Sequence, residues 1–124
     1  MTHKITHLQL VSIPVSDQDR AKAFYCDVLG FQEISDSRMG PDMRWVQLGL
    51  PDAQTSITLV TWFESMAPGS VKGIVLATAD VDAAAADLQA KGVHLSPMED
   101  APWGRYTTFD DPDGNGFVLQ AAPA

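Results

Sequence analysis

The sequence predicts an α+β protein built from two tandem βαβββ modules, and two observations carry that reading. The first is an internal repeat. RWVQLGLPDAQ (44–54) and RYTTFDDPDGN (105–115) align so that Arg44 meets Arg105, Pro51 meets Pro112 and Asp52 meets Asp113, all 61 residues apart. Upstream, VSDQDRAKAFYCDVLGF (15–31) parallels TADVDAAAADLQAKGV (78–93), with Asp17 against Asp80, Asp19 against Asp82 and Gly30 against Gly92. The second observation is the hydrophobic period, which alternates in short β-branched runs and switches to a helical stripe in each half. Two copies of about 60 residues are too few for a solenoid, so the repeat reads as a duplicated half-domain.

The elements follow in order, in a single domain of 124 residues with modules at about 5–62 and 71–121. Residues 8–15 alternate and form the opening strand. Ser16 and Asp17 can cap the helix that follows, Ala21, Phe24, Tyr25 and Val28 make its apolar stripe, and Gly30 stops it. Strands are expected at 31–36, 43–50 and 55–62, then a linker at 63–70, FESMAPGS. The second module opens with a strand at 72–78. Its helix runs from a cap at Asp80 through Val81, Ala84, Ala85 and Leu88 to Gly92, and strands follow at 93–97, 105–110 and 116–121.

DPDGNG (111–116) has the alternating oxygen side chains of a calcium loop. Such a loop needs a bidentate Glu at its twelfth position and a helix on each side. The twelfth residue here is Ala122, and the flanks read as strands. Pro112, Asp113, Gly114 and Asn115 are turn residues, and the repeat partner PDAQ drops the glycine, so the stretch is expected to be a hairpin turn.

Composition narrows the function. Sixteen acidic against eight basic residues give a net charge of −8, which disfavours nucleic acid and anionic membranes as partners. A cationic small ligand would gain from long-range attraction. No apolar run reaches the ~20 residues of a membrane span, and MTHKITHLQL lacks the features of a signal peptide. A cytoplasmic location is the expectation. The lone Cys26, beside Phe24 and Tyr25 in a helical pattern, reads as an inert buried thiol rather than a nucleophile.

Strand alternation sorts residues onto two faces. Val11, Ile13 and Val15; Val46 and Leu48; Ile57 and Leu59; Ile74 and Leu76; and Phe117 and Leu119 share the parity expected under the helices. The other parity collects Leu8, Leu10, Ser12, Trp45, Gln47, Ser56, Thr58, Val60 and Trp62. In the second module it collects Gly73, Val75, Ala77, Tyr106, Thr108, Gly116, Val118 and Gln120. This second surface reads as aromatic, apolar and neutral polar, the chemistry of a small-ligand pocket; a second core or a dimer contact is the alternative. Arg44 and Arg105 have helix-side parity and are expected to form structural ion pairs rather than to reach a rim.

Three motifs, IPVSDQDRAKAFYCDVLGF (13–31), ADVDAAAADLQAKGV (79–93) and FDDPDGNGFVLQ (109–120), resemble the vicinal oxygen chelate superfamily of glyoxalase I, bleomycin and fosfomycin resistance proteins and extradiol dioxygenases. The resemblance implies a curved eight-stranded mixed sheet around a cleft, often completed by a homodimer. Metal-dependent members carry one ligand on each of four equivalent strands. The resemblance places these at Leu10, Thr58, Gly73 and Val118, all on the expected pocket face and none able to hold a divalent ion well. No metal, no other cofactor and no catalytic residue is therefore assigned. His7 would need a bulge to turn inward; His3, His94, Glu33, Glu64 and Glu99 show no ligand spacing.

The function expected is metal-independent binding of a small molecule, with drug or metabolite sequestration by a homodimer. The pocket residues are Leu10, Ser12, Trp45, Gln47, Thr58, Val60, Trp62, Gly73, Tyr106, Thr108, Val118 and Gln120, with Trp103 at the rim. The alternative is a glyoxalase-like lyase, isomerase or dioxygenase with a relocated metal site. A module that binds only protein partners is a third class.

Overall fold

A computed structural model describes residues 4–122 of the chain. The elements are β1 (Leu10–Pro14), α1 (Gln18–Ala23) running into a π-helical segment (Phe24–Val28), β2 (Gln32–Gly40), β3 (Met43–Gly49) and β4 (Ser56–Val60). The second half holds β5 (Ile74–Thr78), α2 (Val81–Ala90), β6 (Glu99–Ala101), β7 (Gly104–Asp110) and β8 (Gly116–Ala121). The eight strands form two four-stranded sheets of the same order, β1-β4-β3-β2 and β5-β8-β7-β6, and no ladder joins the two sheets among the described residues. In each sheet the first pair is parallel and the others antiparallel. The architecture is the α+β tandem βαβββ arrangement expected. No helix is long and apolar enough to cross a membrane.

Local chemistry explains both helices. The Asp17 and Asp80 carboxylates, on extended backbone, accept from the N–H groups of Arg20 (3.1 Å) and Ala83 (3.0 Å). Gly30 and Gly92 end them at φ 87° and 93°, where a Cβ would be strained. Gly30 lies 13 positions after Asp17, whereas Gly92 lies 12 positions after Asp80. The π-helical segment absorbs the extra residue, with Leu29 N–H donating to Phe24 O at 3.2 Å.

The parity assigned to the helix side holds. Ile13, Val15, Val46, Leu48, Ile57, Leu59, Phe117 and Leu119 join Ala21, Tyr25, Val81 and Leu88 in one buried cluster, with Val11, Ile74 and Leu76 packed against it. Arg44 grips Asp36 of β2 through Nε and Nη2 (2.9 and 2.8 Å) and reaches Asp19 of α1 through Nη1 (2.7 Å). Arg105 repeats this, binding Asp82 of α2 and Asp100 of β6, both at 2.9 Å. Each arginine thus ties its helix to the outermost strand of its sheet, as the structural reading expects.

The hexapeptide is a turn between β7 and β8, and it fastens the two halves together. Asp111, 5% exposed, accepts on Oδ1 from the N–H groups of Asp113 and Asn115, both at 2.9 Å. Its Oδ2 accepts from the Tyr25 hydroxyl (2.7 Å) and Asn115 Nδ2 (2.8 Å). Asn115 Nδ2 also donates to Pro14 O (2.9 Å), and Asp113 Oδ1 accepts from Ser16. A Cβ at Gly69 would collide with Asp113 O, so the linker needs glycine there.

Two expectations are corrected. β2 continues past residue 36 to Gly40, because the Pro41–Asp42 turn lets the hairpin extend. The strand expected at 93–97 does not form, and the short β6 stands two residues further on. Pro97 has no N–H for a ladder, and Ser96 substitutes its side chain, accepting from Thr108 N–H on Oγ at 2.9 Å.

Two measurements check these contacts. Tyr25→Phe is expected to cost about 1.5–3 kcal/mol in urea unfolding, and Asp111→Ala more, because it strands several buried donors; a Tyr25→Phe loss below about 0.5 kcal/mol would contradict the fastening role. Bonds first from Arg44 and then from Lys22 hold the Asp36 carboxyl far below the usual range. A depressed folded pKa contributes stability in full above the unfolded value of about 3.9 and loses it as pH falls through the folded value. Asp36→Asn is therefore expected to cost about 1–2 kcal/mol at pH 5–8, with the difference shrinking below about pH 4. A cost independent of pH down to 2 would refute it.

Candidate ligand-binding faces

The face of the first sheet turned away from the helices centres on β4. Ser12 and Gln47 both pair with Thr58, and Leu10 pairs with Ser56, so these side chains share one surface with Val60 and Trp45. Trp45 stacks on Trp62 with ring centroids 6.3 Å apart and planes at 28°. Trp45 Nε1 donates to Gln47 Oε1 (3.2 Å), and Gln47 Nε2 donates to Ser56 Oγ (2.8 Å). Thr58 differs from its neighbours. It is 1% exposed, and its hydroxyl has no hydrogen-bond partner among the described residues. Leaving such a group unpaired costs about 1–3 kcal/mol.

The second sheet presents a matching face from Gly73, Tyr106, Thr108, Val118 and Gln120. Tyr106 pairs with Gln120 and Thr108 with Val118. Trp103, in the β6–β7 turn and 66% exposed, stacks on Tyr106 at 6.1 Å and 27°. Gln120 Nε2 donates to Trp103 O (3.4 Å), and Thr108 Oγ1 to Ser96 Oγ (3.0 Å). The face is not free of charge, which corrects the sequence reading. Glu99 pairs with Tyr106 and accepts its phenolic proton at 2.7 Å, a bond that raises the Tyr106 pKa; Asp110 lies in phase at the far end of β7. Glu99, considered from the sequence only as a metal ligand, was not placed on this face because it lies beyond the strand expected at 93–97.

The structure therefore gathers the candidate residues as two faces on two sheets. The four positions where metal-dependent relatives would place ligands do not fit a metal. Leu10, Gly73 and Val118 offer no donor atom, and Thr58 offers one neutral hydroxyl. Nowhere among the described residues do three or more His, Cys, Asp or Glu side chains gather for an ion. His7 is exposed, outside β1, with Nδ1 2.9 Å from Thr6 Oγ1. His3 lies outside the described residues. Cys26 is half-buried, and burial pushes its thiol pKa up.

One feature had no sequence signal beyond Pro97. A groove of about 540 Å³ opens between the π-helical segment and β7, lined by Phe24, Val28, Lys91, Val93, His94, Phe109 and Asp110 among others.

Comparison with known proteins agrees with this architecture. The profile of the Glyoxalase/Bleomycin resistance protein/Dioxygenase superfamily matches residues 4–119. YetH of Bacillus subtilis (strain 168) is 31% identical over 94% of this chain and 98% of its own length. The crystal structure of TnmS3, an antibiotic binding protein from Streptomyces sp. CB03234, is 45% identical and superposes with a TM-score of 0.92, covering 98% of this chain and 100% of TnmS3. A superfamily member from Sphaerobacter thermophilus DSM 20745 is 39% identical with a TM-score of 0.88, covering 95% and 98%. The chain belongs to the Glyoxalase/Bleomycin resistance protein/Dioxygenase superfamily.

Proposed function

We propose that this protein is a metal-independent, cytoplasmic small-molecule-binding protein that sequesters a drug or metabolite as a homodimer. The observation that carries the reading is the Thr58 hydroxyl, buried and without a partner among the described residues, on a face that also bears the Trp45–Trp62 stack. A ligand polar group would satisfy the hydroxyl, while the indoles take a planar or cationic body. The likeness to TnmS3, described as an antibiotic binding protein, supports the class of ligand. A dimer is supported by the edge positions of β1 and β5 and by the exposed Leu8 (62%), just before β1, and Val75 (54%), within β5. Pairing there would set the first face of one copy against the second face of its partner and close a cleft.

Two experiments test this. Planar heterocycles, glycopeptide drugs and thiol conjugates are screened by tryptophan quenching on protein purified without a polyhistidine tag. At least one is expected to give saturable quenching that survives EDTA and weakens tenfold or more in Trp45→Ala; each good aromatic contact contributes about 0.5–2 kcal/mol. Failure of all three classes with folded dimeric protein, or a near-stoichiometric transition metal required for binding, would defeat the proposal. Thr58→Val separates stability from binding. Removing an unpaired hydroxyl is expected to leave unfolding free energy equal or higher by up to about 1 kcal/mol, while affinity for the identified ligand drops about five- to tenfold. A destabilisation above 1 kcal/mol would mean that the hydroxyl already has a partner.

A further inference from the structure

The two halves differ at one strand position, which is filled in the first sheet and open in the second. β2 runs beside β3 to its end, with Gln32, Glu33 and Ser35 paired to Gly49, Leu48 and Gln47. The 61-residue repeat carries those β3 positions onto Asp110, Phe109 and Thr108 of β7. There β6 pairs only with residues 104–106, and Ser96 alone reaches Thr108. Among the described residues, the edge of β7 beyond Thr108 has no strand beside it.

The backbone groups at that edge point outward. Asp111 N–H donates to Asn115 O across the β7–β8 hairpin (2.9 Å), whereas Ser96 N–H donates to Thr108 O on the other side (3.0 Å). Alternate residues of an antiparallel strand turn their N–H and C=O to opposite sides. Asp110, in phase with Thr108, therefore turns both groups away from β8, and neither has a backbone partner among the described residues. They face the groove of about 540 Å³, whose apolar lining is Phe24, Val28, Val93 and Phe109. Small-ligand sites span about 300–1,000 Å³.

We propose that this groove, at the far end of β7 from the Trp103–Tyr106 stack, is a second binding site that takes a short extended peptide. One residue of the peptide pairs with Asp110 as Gln32 pairs with Gly49, and the apolar side chain of its neighbour rests on Phe24, Val28, Val93 and Phe109. The chain's own first half supplies the precedent: an extended segment at the equivalent edge is what β3 already accepts.

The test titrates N-acetyl-Gly-Leu-Gly-amide into the full, isotope-labelled chain and follows it by NMR. Saturable shifts are expected at the Asp110 amide and the Val28 and Val93 methyls, with a Kd on the order of 1 mM. The same peptide with its backbone nitrogens methylated cannot donate to the strand edge, and it is expected to bind at least tenfold more weakly. Comparable binding of the methylated peptide would overturn strand pairing. Shifts confined to the Trp45 and Trp62 region, or no saturable shift, would overturn the site. None of these outcomes depends on whether the aromatic faces bind a ligand.

Discussion

The buried carboxyl of Asp111 is the contact on which the arrangement of the two halves depends. A carboxylate offers about four acceptor positions on two oxygens, and here four donors take them: two turn amides, the Asn115 side chain and the Tyr25 hydroxyl. The turn is thereby fixed from within and tied to the first helix from without. Burial first, and then the neighbouring Asp111 charge, push the Tyr25 phenol far above its ordinary value, so it remains a donor. Asn115 extends the contact, giving Nδ2 to Pro14 O and accepting Val71 N–H on Oδ1. The end of β1, the linker and the β7–β8 turn thus meet at one polar cluster. A stretch spelled like a calcium loop spends its Asp111 oxygens on protein donors.

Duplication and divergence can be separated residue by residue. Both halves keep an aspartate cap, a glycine stop and an arginine bridging the helix to the outermost strand. The fastening turn belongs to the second half alone. Its first-half counterpart, around Asp52, is exposed and takes φ 62° without a glycine. The extra residue in the first helix fits this asymmetry. The π-helical segment changes the direction of the last helical turn, and Tyr25 within it is the residue that reaches Asp111. An insertion that would weaken an isolated helix is held here by a buried hydrogen bond and by edge-on contacts of Tyr25 with Phe24, Phe31 and Phe117.

Much of this was legible because caps, stops and strand parity are local rules. Asp17, Asp80, Gly30 and Gly92 do what their residue types dictate, and the alternation that put Val46, Leu48 and Phe117 inside also put Trp45, Gln47 and Thr58 on the opposite face. The unequal spacing between cap and stop was visible too, but its purpose required seeing Tyr25 against Asp111, 86 residues away. The strand expected at 93–97 failed because Pro97 has no N–H to give a ladder and Ser96 bonds Thr108 N–H through its side chain, a local conflict that the helical stop before it conceals. Whether eight strands form one sheet or two is decided by contacts between edges of separate segments, and alternation within a strand carries no information on that. The orphaned Thr58 hydroxyl was equally out of reach, because an unmade bond has no sequence pattern.

That hydroxyl also bears on how such a face would select. A metal grips any ligand that offers paired oxygens, largely by charge. A neutral surface of indoles, amides and hydroxyls has no such reach and relies on contact area and directed bonds. Its discrimination comes from penalties: a ligand that covers Thr58 without pairing it leaves the buried group as costly as before, whereas one that pairs it recovers about 1–3 kcal/mol. On the binding reading, the loss of donor atoms at Leu10, Gly73 and Val118 is thus a change in how selectivity is achieved. Affinity then rests on the fit of a whole ligand between aromatic walls, and a polar group placed wrongly on it weakens binding more than a missing methylene would.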